Sequence, residues 1–280
     1  MPAKIIDGKK ISEKIISEIK SKIKNLREKP GLALVLVGNN PASEIYVNFK
    51  EKTCKDVDFY CERFNLDKDI SEMDLLKLVN ELNQKTDIHG ILVQLPLPKQ
   101  INEHLVINSI LPHKDVDGFT PLNLGYLFSE NPILMPATAR AVLRLIESTG
   151  ANIEGKNAVV VGRSRIVGKP VAMMLLEKNA TVTVCHSRTK NLAEYLKKAD
   201  IIVAAVGKPK LITKEMVKDG SIIIDVGINR IGSKVVGDVD FENVKEVAGH
   251  ITPVPGGVGP MTIAMLMDNT LKAMELYKNI

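Results

Sequence analysis

The stretch Ala158-Val159-Val160-Val161-Gly162-Arg163-Ser164-Arg165-Ile166-Val167-Gly168-Lys169-Pro170 decides the fold of this chain. Its four leading apolar residues predict a short buried strand, and Gly162 permits a sharp backbone turn after it. A helix is predicted over residues 168–178. Strand, turn and helix N-terminus together predict a phosphate cradle, because backbone N–H groups and the helix dipole point at an anion there.

The cradle differs in two places from the usual dinucleotide pattern G-x-G-x-x-G. Ser164 stands where the middle glycine would be, and Gly168 comes one residue late. A purely structural turn before a packed helix is the alternative interpretation. The strand–turn–helix context favours the nucleotide site.

Outward from the cradle, strands and helices alternate along the chain. Apolar runs predict buried strands at 32–37, 59–64, 90–94, 181–185, 201–205 and 221–226. Helical spacing predicts helices at 11–28, near 103–110, at 191–198 and from Met261 to about Tyr277. Capping residues predict three more, which begin at Ser43, at a capping box from Ser71, and at Thr138, the last of them running to Gly150. This alternation predicts two α/β domains with parallel sheets, the second of them a Rossmann-like dinucleotide-binding fold.

The predicted domain boundaries follow from an irregular, proline-containing stretch at 119–137, interpreted as the interdomain passage. We expect a first, catalytic domain over residues 1–136 and a Rossmann-like domain over 137–261. The C-terminal helix, within 262–280, is expected to pack back on the first domain.

Composition excludes several function classes. The 280 residues are 45% hydrophobic and carry a net charge of +5, without a basic run interleaved with aromatics. The absence of such a run argues against nucleic acid as a partner, and a small positive excess suits an acidic small molecule. No apolar run reaches membrane-spanning length, so a cytoplasmic protein that does not bind a membrane is predicted. Three scattered cysteines argue against a disulfide framework or a zinc site, so no metal is expected, and Cys185 is interpreted as a buried strand residue.

The end of the predicted strand at 181–185 indicates which nucleotide is bound. It ends in His186-Ser187-Arg188 rather than in the acidic residue that binds the ribose of NAD. Hydroxyl and guanidinium groups bind a 2′-phosphate, and Arg163 in the turn can reach the same group. The pattern predicts NADP. A solvated basic strand end is the alternative.

Candidate catalytic residues lie in the first half of the chain. Tyr46 and Lys50 are four residues apart and share a helix face. Gln94 ends a predicted parallel strand, where ligands of α/β proteins bind, and Asp115 and Asp117 follow in a loop. Each candidate also has a purely structural interpretation. Tyr46 and Lys50 would lie on an ordinary helix face, Gln94 would be a polar strand end, and the two aspartates would belong to a solvated turn. Asp225, at the end of another strand, is expected to be structural.

Six motifs, in this order and spacing, make the chain resemble the bifunctional methylenetetrahydrofolate dehydrogenase/cyclohydrolases along nearly its whole length. They are Tyr46-Val47-Asn48-Phe49-Lys50, Gly90-Ile91-Leu92-Val93-Gln94-Leu95-Pro96-Leu97-Pro98, Lys114-Asp115-Val116-Asp117-Gly118, Gly162-Arg163-Ser164-Arg165-Ile166-Val167-Gly168, Asp225-Val226-Gly227-Ile228-Asn229 and Thr252-Pro253-Val254-Pro255-Gly256-Gly257-Val258-Gly259-Pro260-Met261-Thr262. One departure is Pro136-Ala137-Thr138-Ala139, where the family usually has Pro-Cys-Thr-Pro.

The resemblance implies two successive reactions in one-carbon metabolism, which serves purine biosynthesis. NADP⁺ takes hydride from 5,10-methylenetetrahydrofolate, and water then opens the methenyl product to 10-formyltetrahydrofolate. It also implies a homodimer. Strands 201–205 and 221–226 are candidates for its interface. Two other classes remain open at this point: another NADP oxidoreductase, such as a short-chain or shikimate-type dehydrogenase, and a non-catalytic NADP sensor.

The resemblance also implies roles for individual residues. Lys50 is the catalytic lysine, assisted by Tyr46 and Gln94, and Asp117 binds the pterin ring. The implied NADP contacts are Gly162, Arg163, Ser164, Ser187, Ile228 and Thr262. Pro255, Gly256 and Thr262 are expected to line a cleft between the domains, with Tyr46, Lys50, Gln94, Asp117, Pro255 and Gly256 contacting the folate.

Overall fold

Parallel strands alternate with helices in the computed structural model, which describes residues 2–129, 131–232 and 234–277. The helices are α1 (Gly8–Ile23), α2 (Pro41–Asp56), α3 (Glu72–Gln84), α4 (Glu103–Ser109), α5 (Pro121–Phe128), α6 (Ala137–Glu147), α7 (Gly168–Glu177), α8 (Leu192–Leu196), α9 (Phe241–Val244) and α10 (Val258–Tyr277). The strands are β1 (Lys4–Ile5), β2 (Gly31–Val37), β3 (Tyr60–Leu66), β4 (Gly90–Val93), β5 (Asn157–Val161), β6 (Thr181–Cys185), β7 (Ile201–Ala204), β8 (Ile222–Asp225), β9 (Asn229–Ile231), β10 (Lys234–Val236) and β11 (His250–Ile251).

The chain divides into two compact units. The Rossmann-like unit contains the chain up to Glu13 together with Thr138–Thr262, and the Lys50 unit contains Lys14–Ala137 together with the chain from Ile263 onward. The sequence placed residues 1–13 in the first domain, and the structure differs there. Lys4 and Ile5 pair in parallel with β11 and so extend the sheet of the Rossmann-like unit.

The sheet of the Rossmann-like unit is parallel, with strand order β1-β11-β8-β7-β5-β6. Strand β5 lies between β6 and β7, and its last residue, Val161, is in register with Cys185 and Ala204. Cys185 is fully buried, as predicted. Strands β7 and β8, the candidates for a dimer interface, are inner strands whose side chains are all buried, so they do not offer such a surface.

The Lys50 unit contains a smaller parallel sheet of order β3-β2-β4. Its central strand β2 is buried at every residue, which agrees with its continuous apolar sequence. The C-terminal helix packs on this unit, as expected. Asn269 of α10 is fully buried, and its Nδ2 donates hydrogen bonds of 2.8 Å to the carbonyl oxygens of both Val116 and Met135.

Two predicted N-terminal capping residues, Ser43 and Thr138, are wrong. Asn40 rather than Ser43 caps α2, with its Oδ1 accepting from the amides of Ala42 (2.9 Å) and Ser43 (3.2 Å). Pro41 can occupy the first helical position because no intrahelical partner is needed there. Similarly, α6 already begins at Ala137, so Thr138 lies inside it.

The stretch 119–137, expected to be irregular, contains the helix α5. Thr120 caps it, and Pro121 stands at its start, where a proline favours a helix instead of breaking it. The capping prediction at Ser71 is confirmed, since its hydroxyl accepts from the amide of Asp74 at 3.1 Å. Helix α1 spans 8–23 rather than 11–28, and α10 begins at Val258, three residues before the predicted start.

Two features are absent from the residues that the structure describes. No helix there has the length and apolarity needed to cross a bilayer. Nor do those residues contain a group of three or more His, Cys, Asp or Glu side chains placed to hold a metal ion.

Candidate active site

Lys50 lies in the middle of α2 and is buried, with 8% of its surface exposed. Its Nζ donates a hydrogen bond of 2.9 Å to Oε1 of Gln94. Tyr46 lies one turn earlier on the same helix and is partly buried. The structure therefore joins Lys50 to Gln94. The residue patterns gave the two as separate candidates, and the family resemblance placed Gln94 beside the lysine.

Gln94 follows directly after β4, at the carboxyl end of the sheet. Its backbone amide donates to the carbonyl of Val35 at 2.8 Å and so continues the pairing of β4 with β2. Its side-chain Nε2 donates to the carbonyl of Leu95 at 2.7 Å. Because the amide group is held at its nitrogen, its oxygen is aimed at Lys50.

The loop 114–118 runs beside β4, anchored by Asp115. The amide of Ile91 donates to the carbonyl of Lys114 at 2.8 Å. The buried carboxylate of Asp115 accepts from the amides of Gly118 (3.0 Å) and Thr120 (2.7 Å) and from Nδ2 of Asn123 (2.9 Å). Asp115 is thus committed to shaping the loop, which leaves Asp117 as the carboxylate available for chemistry.

Asp117 and Lys50 interact electrostatically. Burial lowers the pKa of Lys50, and the nearby Asp117 carboxylate partly opposes this. Burial likewise raises the pKa of Asp117, opposed by the positive charge of Lys50. Asp117 also lines a cavity of about 10 Å³ beside the β4 residues Ile91 and Val93. The cluster therefore combines a lysine that loses its proton more readily than in water with a carboxylate that accepts hydrogen bonds.

The four residues at 136–139, where the sequence departs from its resemblance, lie at the start of helix α6. Ala137 and Ala139 are buried, at 1% and 0% exposure, and α6 begins at the first of them. The amide of Ala137 donates to the carbonyl of Asp117 at 3.3 Å. Smaller side chains here therefore preserve the backbone contact to the Asp117 loop.

The cradle of the Rossmann-like unit requires both of its glycines. Gly162 has φ +132°, and a Cβ there would lie 2.2 Å from the carbonyl oxygen of Ala205. A Cβ on Gly168 would lie 2.2 Å from the carbonyl oxygen of Gly162. The hydroxyl of Ser164 accepts from the amides of Val167 (3.1 Å) and Gly168 (3.3 Å), so this serine organises the N-terminus of α7.

Arg163 and Ser187 lie at the same edge of the parallel sheet. Val161 and Cys185 are paired in register, and each candidate follows its strand's last residue by two positions. Both candidates are exposed, as is Arg188. This edge holds the backbone cradle together with cationic and hydroxyl groups, a donor set that fits a phosphorylated dinucleotide.

Asp238 is a structural residue of this unit that the sequence analysis missed. Its fully buried carboxylate accepts from the amides of Val206 (2.7 Å), Gly207 (2.9 Å) and Lys208 (2.8 Å) and from Nδ2 of Asn229 (2.9 Å). It therefore fixes the loops that follow β7 and β8. No local pattern marks Asp238, because its partners are up to 32 residues away.

Asp225 has the structural role expected of it. Its carboxylate accepts from the amides of Gly227 (3.0 Å), Asp238 (3.0 Å) and Val239 (2.9 Å). Burial raises its pKa to about 6 despite these bonds. Ile228, in the loop held by these contacts, is 49% exposed and accessible to a ligand.

The segment rich in proline and glycine is held within the Rossmann-like unit. Gly256 has φ +105°, and its carbonyl accepts from the amide of Lys9 at 3.1 Å. The peptide bond before Pro255 is cis. The hydroxyl of Thr262 donates to the carbonyl of Val258 at 3.2 Å. That Pro255, Gly256 and Thr262 line an interdomain cleft stays a prediction.

Fold and sites define an α/β enzyme with a dinucleotide cradle in one unit and a buried lysine–glutamine–carboxylate cluster in the other. Residues 6–117 match the family described as "Tetrahydrofolate dehydrogenase/cyclohydrolase, catalytic domain", and residues 136–278 match the "NAD(P)-binding domain" of the same description. The chain belongs to the tetrahydrofolate dehydrogenase/cyclohydrolase family.

Individual relatives match this chain over almost their whole length. The chain is 54% identical over 277 residues to "Bifunctional protein FolD" of Moorella thermoacetica, covering 98% of this chain and 99% of that one. It resembles the crystal structure of the bifunctional FolD of Campylobacter jejuni with a TM-score of 0.95 and 48% identity, covering 98% and 99% of the two chains. The FolD structure of Trypanosoma brucei, described as complexed with NADP cofactor and inhibitor, matches with a TM-score of 0.96 and 36% identity over 100% of both chains.

Proposed function

We propose that this chain oxidises 5,10-methylenetetrahydrofolate with NADP⁺ and hydrolyses the resulting 5,10-methenyltetrahydrofolate to 10-formyltetrahydrofolate. The observation that carries the proposal is the buried Lys50–Gln94 hydrogen bond beside Asp117, in a family member that also has the dinucleotide cradle. A sensor that only bound NADP would have no use for a buried lysine with a lowered pKa. Another NADP oxidoreductase would not account for matches to both domains of this family.

Asp117 is the proposed contact for the pterin ring. Its carboxylate accepts hydrogen bonds, whereas the amino group and ring N–H of a pterin form an adjacent pair of donors. Asp115 holds the loop that carries Asp117, through its bonds to Gly118, Thr120 and Asn123. The substrate ring would therefore be oriented by a preformed backbone.

Lys50 is the proposed proton-handling group of the hydrolytic step. The approach of a cationic methenyl substrate would lower its pKa further than burial already does. The neutral amine could then orient or deprotonate the attacking water. Gln94 keeps the amine in place, and Tyr46 is proposed to assist from the preceding turn of α2.

The Rossmann-like unit is proposed to hold NADP through Gly162, Arg163, Ser164, Ser187, Ile228 and Thr262. The missing side chains of Gly162 and Gly168 let a phosphate approach the backbone at the start of α7. NADP⁺, when bound, supplies the acceptor for the hydride. For that step the protein's contribution is mainly positioning, to which Pro255 and Gly256 are proposed to add folate contacts.

One spectrophotometric experiment tests this function. Purified protein is mixed with 5,10-methylenetetrahydrofolate and NADP⁺, and absorbance is followed for NADPH and methenyltetrahydrofolate. Separately supplied methenyltetrahydrofolate is then followed as it decays, against the buffer rate. We expect NADP-dependent oxidation and a protein-dependent decay. NADP binding without either activity would instead identify a sensor.

We further propose that the protein is a cytoplasmic homodimer that supplies formyl groups for purine biosynthesis. An edge strand offers backbone groups for pairing with a second copy. Strand β6 is such an edge, and its Val184 is 38% exposed. Sedimentation at micromolar concentration tests the dimer, and a monomer there would contradict it.

A further inference from the structure

Two of the three cysteines lie close together at the junction of α2 and β3. Cys54 occupies the last turn of α2 and is fully buried, whereas Cys61 is the second residue of β3 and is partly exposed. A short turn connects them, in which the amide of Phe59 donates to the carbonyl of Cys54 at 3.0 Å. Sγ of Cys54 lies 3.9 Å from the carbonyl oxygen of Tyr60, the residue that precedes Cys61.

Helix α2 packs against β3, and this packing places the Cys54 thiol within interaction range of the Cys61 thiol. Arg63 of β3 donates to Asn48 (2.6 Å) and Glu51 (3.0 Å) of α2, so the face of β3 that carries Arg63 is turned toward this helix. Cys61 lies on the same face, because side chains two positions apart on a strand point the same way. Helix α2 and strand β3 run in opposite directions. Cys61 precedes Arg63 on the strand, so its neighbour on the helix follows Asn48 and Glu51, the partners of Arg63. That neighbour is Cys54.

The surroundings favour the thiolate at Cys61 over the one at Cys54. The hydrogen bond from the Cys54 thiol lowers the pKa of Cys61 and outweighs the opposing effects of burial and of Glu51. Lys55 and Arg63 also lower this pKa. The pKa of Cys54 is raised by its hydrogen bond to Cys61 and by burial. The partly exposed sulfur is therefore the nucleophile, and the buried one keeps its proton.

We propose that Cys54 and Cys61 form a redox-active thiol pair that hydrogen peroxide converts into an intramolecular disulfide. The Cys61 thiolate attacks one peroxide oxygen, the O–O bond breaks, and the departing hydroxide takes a proton to become water, leaving Cys61 as a sulfenic acid. The sulfur of Cys54 then attacks the Cys61 sulfur, the S–O bond breaks, and the hydroxide leaves as water with the Cys54 proton. Two thiols lose two electrons in total, and the peroxide is reduced to two water molecules.

Peptide mass spectrometry of the full-length protein tests this pair. The chain is treated with hydrogen peroxide, alkylated under denaturing conditions and digested with trypsin. We expect a disulfide between the peptides Thr53-Cys54-Lys55 and Asp56-Val57-Asp58-Phe59-Tyr60-Cys61-Glu62-Arg63, and a fall in free thiols from three to one per chain. Dithiothreitol should restore all three.

Cys185 provides the matched control, because it is buried in β6 of the Rossmann-like unit. Cys185→Ser should still form the disulfide, whereas Cys61→Ser should retain a Cys54 thiol open to alkylation. Oxidation of Cys61 to sulfinic acid without the linked peptides, or a disulfide between two chains, would overturn the proposal. The measurement on the unmodified protein decides this even if a cysteine variant does not fold.

Discussion

The ammonium of Lys50 donates a 2.9 Å hydrogen bond to the side-chain oxygen of Gln94, connecting the middle of α2 to the end of β4. A glutamine accepts this bond without adding charge, so it fixes the position of the amine while leaving its proton removable. Burial then lowers the pKa of Lys50, against the pull of Asp117. The arrangement suits a group that must exchange a proton at a fixed place.

Replacing Lys50 by methionine should abolish methenyl hydrolysis. Lys50→Met keeps the length and apolar bulk of the side chain but removes the ionisable nitrogen, and loss of general acid–base catalysis costs about 10²- to 10⁴-fold in rate. The NADP⁺ affinity should be unchanged. Decay of methenyltetrahydrofolate measures the first effect, and fluorescence titration with NADP⁺ measures the second.

The exposed Lys52 on the same helix gives the control for that variant. Lys52→Met should hydrolyse methenyltetrahydrofolate at the unmodified rate. If Lys50→Met did so as well, Lys50 would be structural and another group would have to manage the proton.

Placing a carboxylate at position 94 should shift the pH dependence of hydrolysis. The neutral amine of Lys50 is the proposed active form, so the rate should rise with pH through the lowered pKa of this group. In Gln94→Glu the added negative charge favours the ammonium and raises that pKa. The rising limb of the pH–rate profile should therefore move to higher pH. An unchanged limb, or one at lower pH, would argue against Lys50 as the titrating group.

The sequence predicted the parts of this molecule that depend on local patterns. The apolar runs of β2 and β5, the turn at Gly162 and the shared helix face of Tyr46 and Lys50 all follow from neighbouring residues. Asp238 and Asn269 were missed because each bonds to backbone far away along the chain, as Asn269 does to Val116. Such contacts exist only once the chain has folded.

Boundary errors had a different physical cause. The prolines of the stretch 119–137 led to the prediction of an irregular segment, although Pro121 stands at the first turn of a helix, where the missing N–H costs nothing. Strands β1 and β11 are two residues long, too short to show a periodicity. Strands β7 and β8 were candidates for an interface because apolar sequence alone does not distinguish an inner strand, which both of them are, from a contact surface.

Removing the polar groups near the predicted 2′-phosphate should weaken NADP binding selectively. Arg163→Ala combined with Ser187→Ala deletes the proposed charge-assisted hydrogen bonds, which would be worth about 1.5–3 kcal/mol, or roughly a tenfold to hundredfold loss in affinity. The Kd for NAD⁺ should change much less. Isothermal titration with both nucleotides measures the difference.

Lys197→Ala is the control for nonspecific charge loss, since this lysine is exposed and lies just after α8. It should leave both affinities unchanged. Comparable affinities of the unmodified protein for NADP⁺ and NAD⁺ would refute the assignment of these two residues.

A methyl group at position 162 should disrupt the cradle itself. Gly162→Ala would place Cβ 2.2 Å from the carbonyl oxygen of Ala205, at a φ of +132° that side chains rarely adopt. The left-handed backbone alone costs about 1–2 kcal/mol, and the clash adds to it. We expect a lower Tm and loss of NADP binding. Gly125→Ala, in α5 with nothing within 4 Å of its Cβ, should show neither effect.

Asn269, in the C-terminal helix α10, should hold the Asp117 loop in position. Its Nδ2 is bonded to the carbonyls of both Val116, which precedes Asp117, and Met135. Asn269→Ala leaves these buried oxygens without that donor, at about 1–3 kcal/mol for each unsatisfied group. We expect a lower free energy of unfolding in urea and, because Asp117 is less firmly held, a higher KM for methylenetetrahydrofolate with the Kd for NADP⁺ unchanged. Asn80→Ala, at an exposed position of α3, should change none of these, and an unaltered KM in Asn269→Ala would reduce Asn269 to a stabilising residue.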